Sequence, residues 1–130
     1  MQNSTQTQET IASRVGRFGP PVTLMAVIFL LSNQSDLSTG LGRADFILRK
    51  LAHMTIFGSL WWLWLRALRF RWPFGALVIT FVYSISDEFH QSFIAGRHAS
   101  PVDVLIDLTG IGVAATIWRF YLRRRHTRHT

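Results

Sequence analysis

Between two strongly apolar segments, Pro73 to Ser86 and Val102 to Trp118, the chain places Asp87-Glu88-Phe89-His90-Gln91-Ser92-Phe93-Ile94-Ala95-Gly96-Arg97, continuing to Ser100, Asp103 and Asp107. In water such a run would be unremarkable. At the edge of a bilayer it is not, because a charged side chain at the centre of a spanning helix costs roughly 2.5–3.5 kcal/mol on insertion scales. Ionisable groups kept so close to apolar segments mark a site where they face one another.

The composition agrees with a lipid environment. Hydrophobic residues make up 48% of the 130 residues, only 16% are charged, and five tryptophans and ten phenylalanines are present. The length fits one domain at most. No cysteine occurs, which removes disulfides, thiolate catalysis and thiolate metal sites from consideration. The net charge of +7 is carried by thirteen arginines and a single lysine. A balance this basic can serve nucleic-acid binding, but here the basic clusters alternate with apolar segments. Anchoring to membrane lipids is therefore the expectation, and nucleic acid is not expected as a partner.

Four apolar segments are legible. Residues 1–13 are polar and expected to be a disordered arm, residues 14–122 a four-helix membrane domain, and residues 123–130 a basic cytoplasmic tail. The first segment runs from about Phe18 to Leu31, with Pro20-Pro21 read as a helix start. That is short against the roughly 20 residues a span needs. Ser32-Asn33-Gln34-Ser35-Asp36 has no small-x-small cleavage pattern, so a retained helix is expected rather than a signal peptide. The others are placed at Phe46 to Leu65, Pro73 to Gln91 and Pro101 to Tyr121. Short connections predict an antiparallel, all-α arrangement of four transmembrane helices. Gly110, Gly112, Ala114 and Ala115 give the last helix small residues at which a partner can come close.

Arginines set the expected orientation. Arg14 and Arg17, then Arg66, Arg69 and Arg71, then Arg123, Arg124, Arg125 and Arg128 fall on one side of a four-span bundle. The positive-inside rule makes that side, and both termini, cytoplasmic. Trp61, Trp62, Trp64, Trp72, Trp118 and Tyr121 lie towards the same end, as an interfacial aromatic belt would. The polar motif then opens outward, and helical spacing gathers it. Lys50, His53 and Phe57 share a face of the second helix. Ser84, Asp87, Glu88 and Gln91 form a stripe on the third, and Asp103, Asp107 and Gly110 recur on the fourth.

The run Lys50-x-x-His53, then Asp87-Glu88-x-x-Gln91-x-Phe93-x-x-Gly96-Arg97, then Ser100-x-x-Asp103 resembles the signature of the VanZ-like family of small bacterial membrane proteins, named for one linked to teicoplanin resistance. The resemblance covers about Ser32 to Ala115. The family pattern has Tyr where Phe57 stands, Pro at Ala95 and Asn at Asp107. The resemblance implies a cell-envelope role, with lipid-linked cell-wall precursors or glycopeptide-type amphiphiles as ligands. The expected ligand-binding residues are Lys50, His53, Asp87, Glu88, Gln91, Arg97, Asp103 and Asp107.

Three functions compete on these residues. In a binding protein, Arg97, Lys50 and Arg49 hold an anionic headgroup, pyrophosphate or carboxylate, while Asp87, Glu88 and Gln91 orient those cations or take an amine or sugar hydroxyl. In a membrane enzyme, Asp87, Glu88 and His53 supply acid and base, or His53, Glu88, Asp103 and Asp107 bind a divalent metal through nitrogen and oxygen. No nucleophile elbow, zincin motif or phosphate loop is present, so binding is expected ahead of catalysis, and no cofactor is assigned. The third reading is a small oligomeric transporter or an assembly partner. Local roles are also predicted: Asp45 caps the second helix, Ser100 and Asp103 form a capping box on the fourth, Arg97 bridges to Asp87 or Glu88, and Gly96 supplies a turn.

Overall fold

The computed structural model describes residues 10–34, 40, 42–97 and 99–126. They form four helices: α1 (Ile11–Ser32), α2 (Arg43–Ala67), α3 (Pro73–Gln91) and α4 (Pro101–His126). Most of the expected arm, residues 1–9, lies outside the described residues, as do residues 127–130 of the tail.

Proline places the start of α3, because its fixed φ suits the first helical turn and its missing N–H is no loss there. The same reasoning misplaced α1. Pro20 and Pro21 sit inside that helix, which begins nine residues earlier at Ile11. Interior proline opposes helix by about 3 kcal/mol, but Pro21 is buried against the bundle, and packing overrides the local cost. The helix reaches 22 residues and, with α4, is long and apolar enough to cross a membrane. Helices α2 and α3, which carry most of the ionic groups, do not meet that criterion of length and hydropathy.

Helix α2 is the hub, touching each of the other three, whereas α1 and α4 do not meet among the described residues. The core is Phe57, Leu60, Trp61 and Leu65 of α2 with Ile28, Ala76 and Ile111 from the others. Two ties span it: Tyr83 donates from its hydroxyl to the Met25 carbonyl at 2.5 Å, and Trp61 donates from Nε1 to the Pro73 carbonyl at 3.3 Å. The outer surface is apolar on every helix: Val22 and Leu30, Leu48 and Leu51, Val82 and Phe89, Leu105 and Ile117 are all exposed. Buried polar side chains with an exposed apolar shell invert the usual arrangement in water and match a lipid surround.

The contact of α2 with α4 depends on glycine. A β-carbon on Gly110 would stand 2.1 Å from the Met54 carbonyl oxygen, and one on Gly58 would stand 2.9 Å from the Gly110 carbonyl oxygen. Gly112, expected on the same small face, points into open space. The end of α2 was not legible: Arg69 and Phe70 both take left-handed φ, at 56° and 57°. Phe70 N–H reaches the Leu65 carbonyl at 2.8 Å, closing the helix without the usual glycine.

Candidate functional site

Close approach at Gly110 sets the site. Met54, against which Gly110 packs, follows His53, and Asp107 lies one turn before Gly110 on α4. The His53 imidazole Nδ1 stands 3.1 Å from Asp107 Oδ1. On the other side, Ser84 Oγ of α3 donates to Asp107 Oδ2 at 2.6 Å. Asp107 is 1% exposed, so both carboxylate oxygens are committed inside the bundle. The order of bonding matters chemically. Asp107 stands between serine and histidine, so His53 does not activate Ser84 and the three do not form a nucleophilic triad.

Around this centre, Gln91 Nε2 donates to Asp87 Oδ2 at 2.8 Å and to Ser32 Oγ at 3.2 Å, tying α3 to the end of α1. Glu88 turns towards the start of α4, where its Oε2 accepts from the Ser100 N–H at 3.3 Å. That N–H is the one a reciprocal capping box would give to Asp103. Ser100 does cap α4, accepting from Val102 N–H at 3.2 Å, but Glu88 from another helix completes the box. Asp103 is thereby released and bonds to Lys50 Nζ across the α2–α4 contact. Gly96 takes φ +80°, as the turn reading expected.

Two local expectations are corrected. Asp45 does not cap α2, whose first helical residue is Arg43; it lies within the first turn and pairs with Arg49, one turn on, at 2.7 Å. Arg97 does not bridge to Asp87 or Glu88. Its Nε donates to the Gln34 carbonyl at 3.2 Å and its Nη2 to the Leu31 carbonyl at 3.4 Å. The turn after α3 directs it to the carbonyl end of α1, where the helix dipole favours a cation.

The structure therefore brings together Asp87, Glu88, Gln91 and Asp107, all buried, and the half-buried Lys50, His53 and Asp103 in one polar layer, with Arg97 at its α1 edge. Ser32 belongs to this layer and had no signal in the sequence beyond ending an apolar run. A cavity of about 140 Å³ opens beside it, lined by Ser32, Arg49, His53, Phe57 and Arg97 together with apolar residues of α1 and α2. Larger grooves on the α2–α4 exterior are lined mostly by apolar side chains, with volumes of about 620 and 680 Å³; none of the polar-layer residues lines either, though Arg125 lines the second. His53, Glu88 and Asp107 each offer one ligand atom within 4.8 Å of the others. Asp103, expected among the metal-binding candidates, lies outside that group and is paired with Lys50.

A family model described as VanZ/LLP1 matches residues 2–122. That match takes in all four helices up to the last turn of α4. No curated protein and no solved structure matches the chain at a significant level.

Proposed function

The chain belongs to the VanZ/LLP1 family, and on that premise we propose that it is a cell-envelope protein that binds the polar headgroup of an amphiphile. In this reading all four helices cross the bacterial inner membrane with both termini in the cytoplasm, and the polar layer opens to the outer leaflet. Lipid-linked cell-wall precursors and glycopeptide-type amphiphiles are the ligand class.

The observation that carries the proposal is the cavity bounded by Arg49, His53 and Arg97, open beside the buried polar layer. Arg49 and Arg97 each spend part of the guanidinium on Asp45 or on α1 carbonyls. An arginine has five N–H donors, so a phosphate oxygen can be bound as well. Lys50 is less suited to binding an anion, since its ammonium is engaged by Asp103. Exposed apolar residues beside the cavity, such as Leu31, accommodate the hydrocarbon of the ligand.

Native mass spectrometry from nanodiscs tests this with a polyprenyl phosphate as the probe and the matching polyprenol as the control. Wild type should retain the phosphate and release the alcohol. A double variant, Arg49→Gln with Arg97→Gln, should lose at least about tenfold in retention, about 1.4 kcal/mol. Equal retention of phosphate and alcohol, or an unchanged double variant, would sink the headgroup reading.

A further inference from the structure

We infer that His53, Glu88 and Asp107 hold a divalent metal ion of the Mn²⁺ or Zn²⁺ type at the centre of the bundle. The three come from α2, α3 and α4, and their ligand atoms lie within 4.8 Å of one another. Glu88 and Asp107 are buried, and His53 is half-buried. Around an ion with metal–ligand distances of about 2.0–2.2 Å, tetrahedral neighbours stand about 3.4 Å apart. His53 Nδ1 and Asp107 Oδ1 stand 3.1 Å apart in a hydrogen bond that an ion would replace with only a few tenths of an ångström of separation. The Glu88 ligand atom lies within 4.8 Å of both, on a carboxylate that also accepts from the Ser100 N–H.

A second observation points to the same ligand. Asp87 is 4% exposed; Gln91 holds its Oδ2 and Ser32 lies near the same carboxylate, but its Oδ1 is buried without a well-formed hydrogen bond among the described residues. Asp87 is within electrostatic range of His53 and Asp107. A buried carboxylate oxygen without a full partner is costly, and a cation held by the neighbouring His53, Glu88 and Asp107 would lower that cost electrostatically, although Asp87 is not itself one of the three grouped ligands.

The charge balance points the same way. Asp87, Glu88, Asp103 and Asp107 share this layer with Lys50 and His53, while Arg49 is paired with Asp45 and Arg97 with carbonyls. Even with His53 protonated, four carboxylates face two cations. Several kcal/mol is the effective penalty for each buried ion after relaxation, so the excess of negative charge must be relieved by bound protons or by a cation, and one divalent ion relieves two carboxylates at once. Mixed imidazole and carboxylate donors favour Mn²⁺ or Zn²⁺, and the absence of cysteine removes the thiolate that would select softer metals.

This inference deepens the proposed function: an ion here would bridge the carboxylates to phosphate oxygens of a headgroup seated between Arg49 and Arg97. It is tested without that headgroup. The full chain, purified in an uncharged maltoside detergent and stripped with chelator, is titrated with Mn²⁺ alone and followed by electron paramagnetic resonance and calorimetry. One saturable site per chain is expected. Its affinity should fall at least tenfold in Glu88→Gln and in His53→Gln, both near-isosteric, and stay unchanged in Gly112→Ala on the outer face of α4. No saturable site in wild type, or a site that survives both substitutions, overturns the metal centre. A protein that takes Mn²⁺ but no polyprenyl phosphate keeps the metal and discards the headgroup; the converse result discards the metal and keeps the headgroup.

Discussion

Replacing Gly110 with valine should unfold the α2–α4 contact, whereas the same replacement at Gly112, two residues away, should leave stability nearly unchanged. The first β-carbon would stand 2.1 Å from the Met54 carbonyl oxygen, a backbone atom that cannot rotate away. Nothing lies within 4 Å of a β-carbon at Gly112. Overpacking typically costs about 1–3 kcal/mol, and a clash with backbone belongs at or beyond the upper end. Because Met54 follows His53 and Gly110 follows Asp107 by one turn, the valine should also separate His53 from Asp107. Thermal unfolding in detergent checks the first effect, and the change in Mn²⁺ affinity checks the second. Equal losses at Gly110 and Gly112 would contradict the packing described.

Asp107 should separate stability from function. Asp107→Asn keeps an oxygen and an amide for Ser84 and His53, and removes one charge from a layer that also holds Asp87 and Glu88. Stability should be equal to wild type or higher, while metal affinity falls at least about tenfold. Asp107→Leu should instead destabilise, because the Ser84 hydroxyl is left buried with its acceptor gone and His53 loses its partner. Stranding a buried polar group costs about 1–3 kcal/mol. Chemical denaturation of the two variants beside wild type makes the comparison. If Asn destabilises as much as Leu, the carboxylate charge is needed for folding, and the reading of a site retained for a ligand fails.

The helix count and the bounds of α3 were legible because Pro73 marks a start by local chemistry and the apolar run has a clear end. Ser100 before Pro101 marked the start of α4 for the same reason. Where non-local packing decided the outcome, local reading failed: Pro20 and Pro21 signal a start, yet burial of Pro21 keeps them inside α1. The site followed the same division. Helical spacing placed Lys50 and His53 on one face, Asp87, Glu88 and Gln91 on another, and Asp103 and Asp107 on a third. Partner choice was not contained in spacing. That Arg97 would turn to the carbonyl end of α1, and Glu88 to the Ser100 N–H, depends on how α1, α3 and α4 sit together. Ser32 became part of the site only through Gln91, 59 residues away in the chain.

The absence of native cysteine makes single-cysteine labelling the most direct test of the central claim, a polar layer that opens to the outside of a four-span bundle. Ser32→Cys places a thiol of nearly the same size on the wall of the cavity, and Arg69→Cys places one in the arginine-rich turn after α2. Each variant is treated in intact spheroplasts with a membrane-impermeant maleimide. The account predicts labelling of the cysteine at position 32 from outside, slowed by added polyprenyl phosphate, and labelling at position 69 only after the membrane is opened. Labelling of position 69 from outside, with position 32 reached only from the cytoplasm, would contradict it.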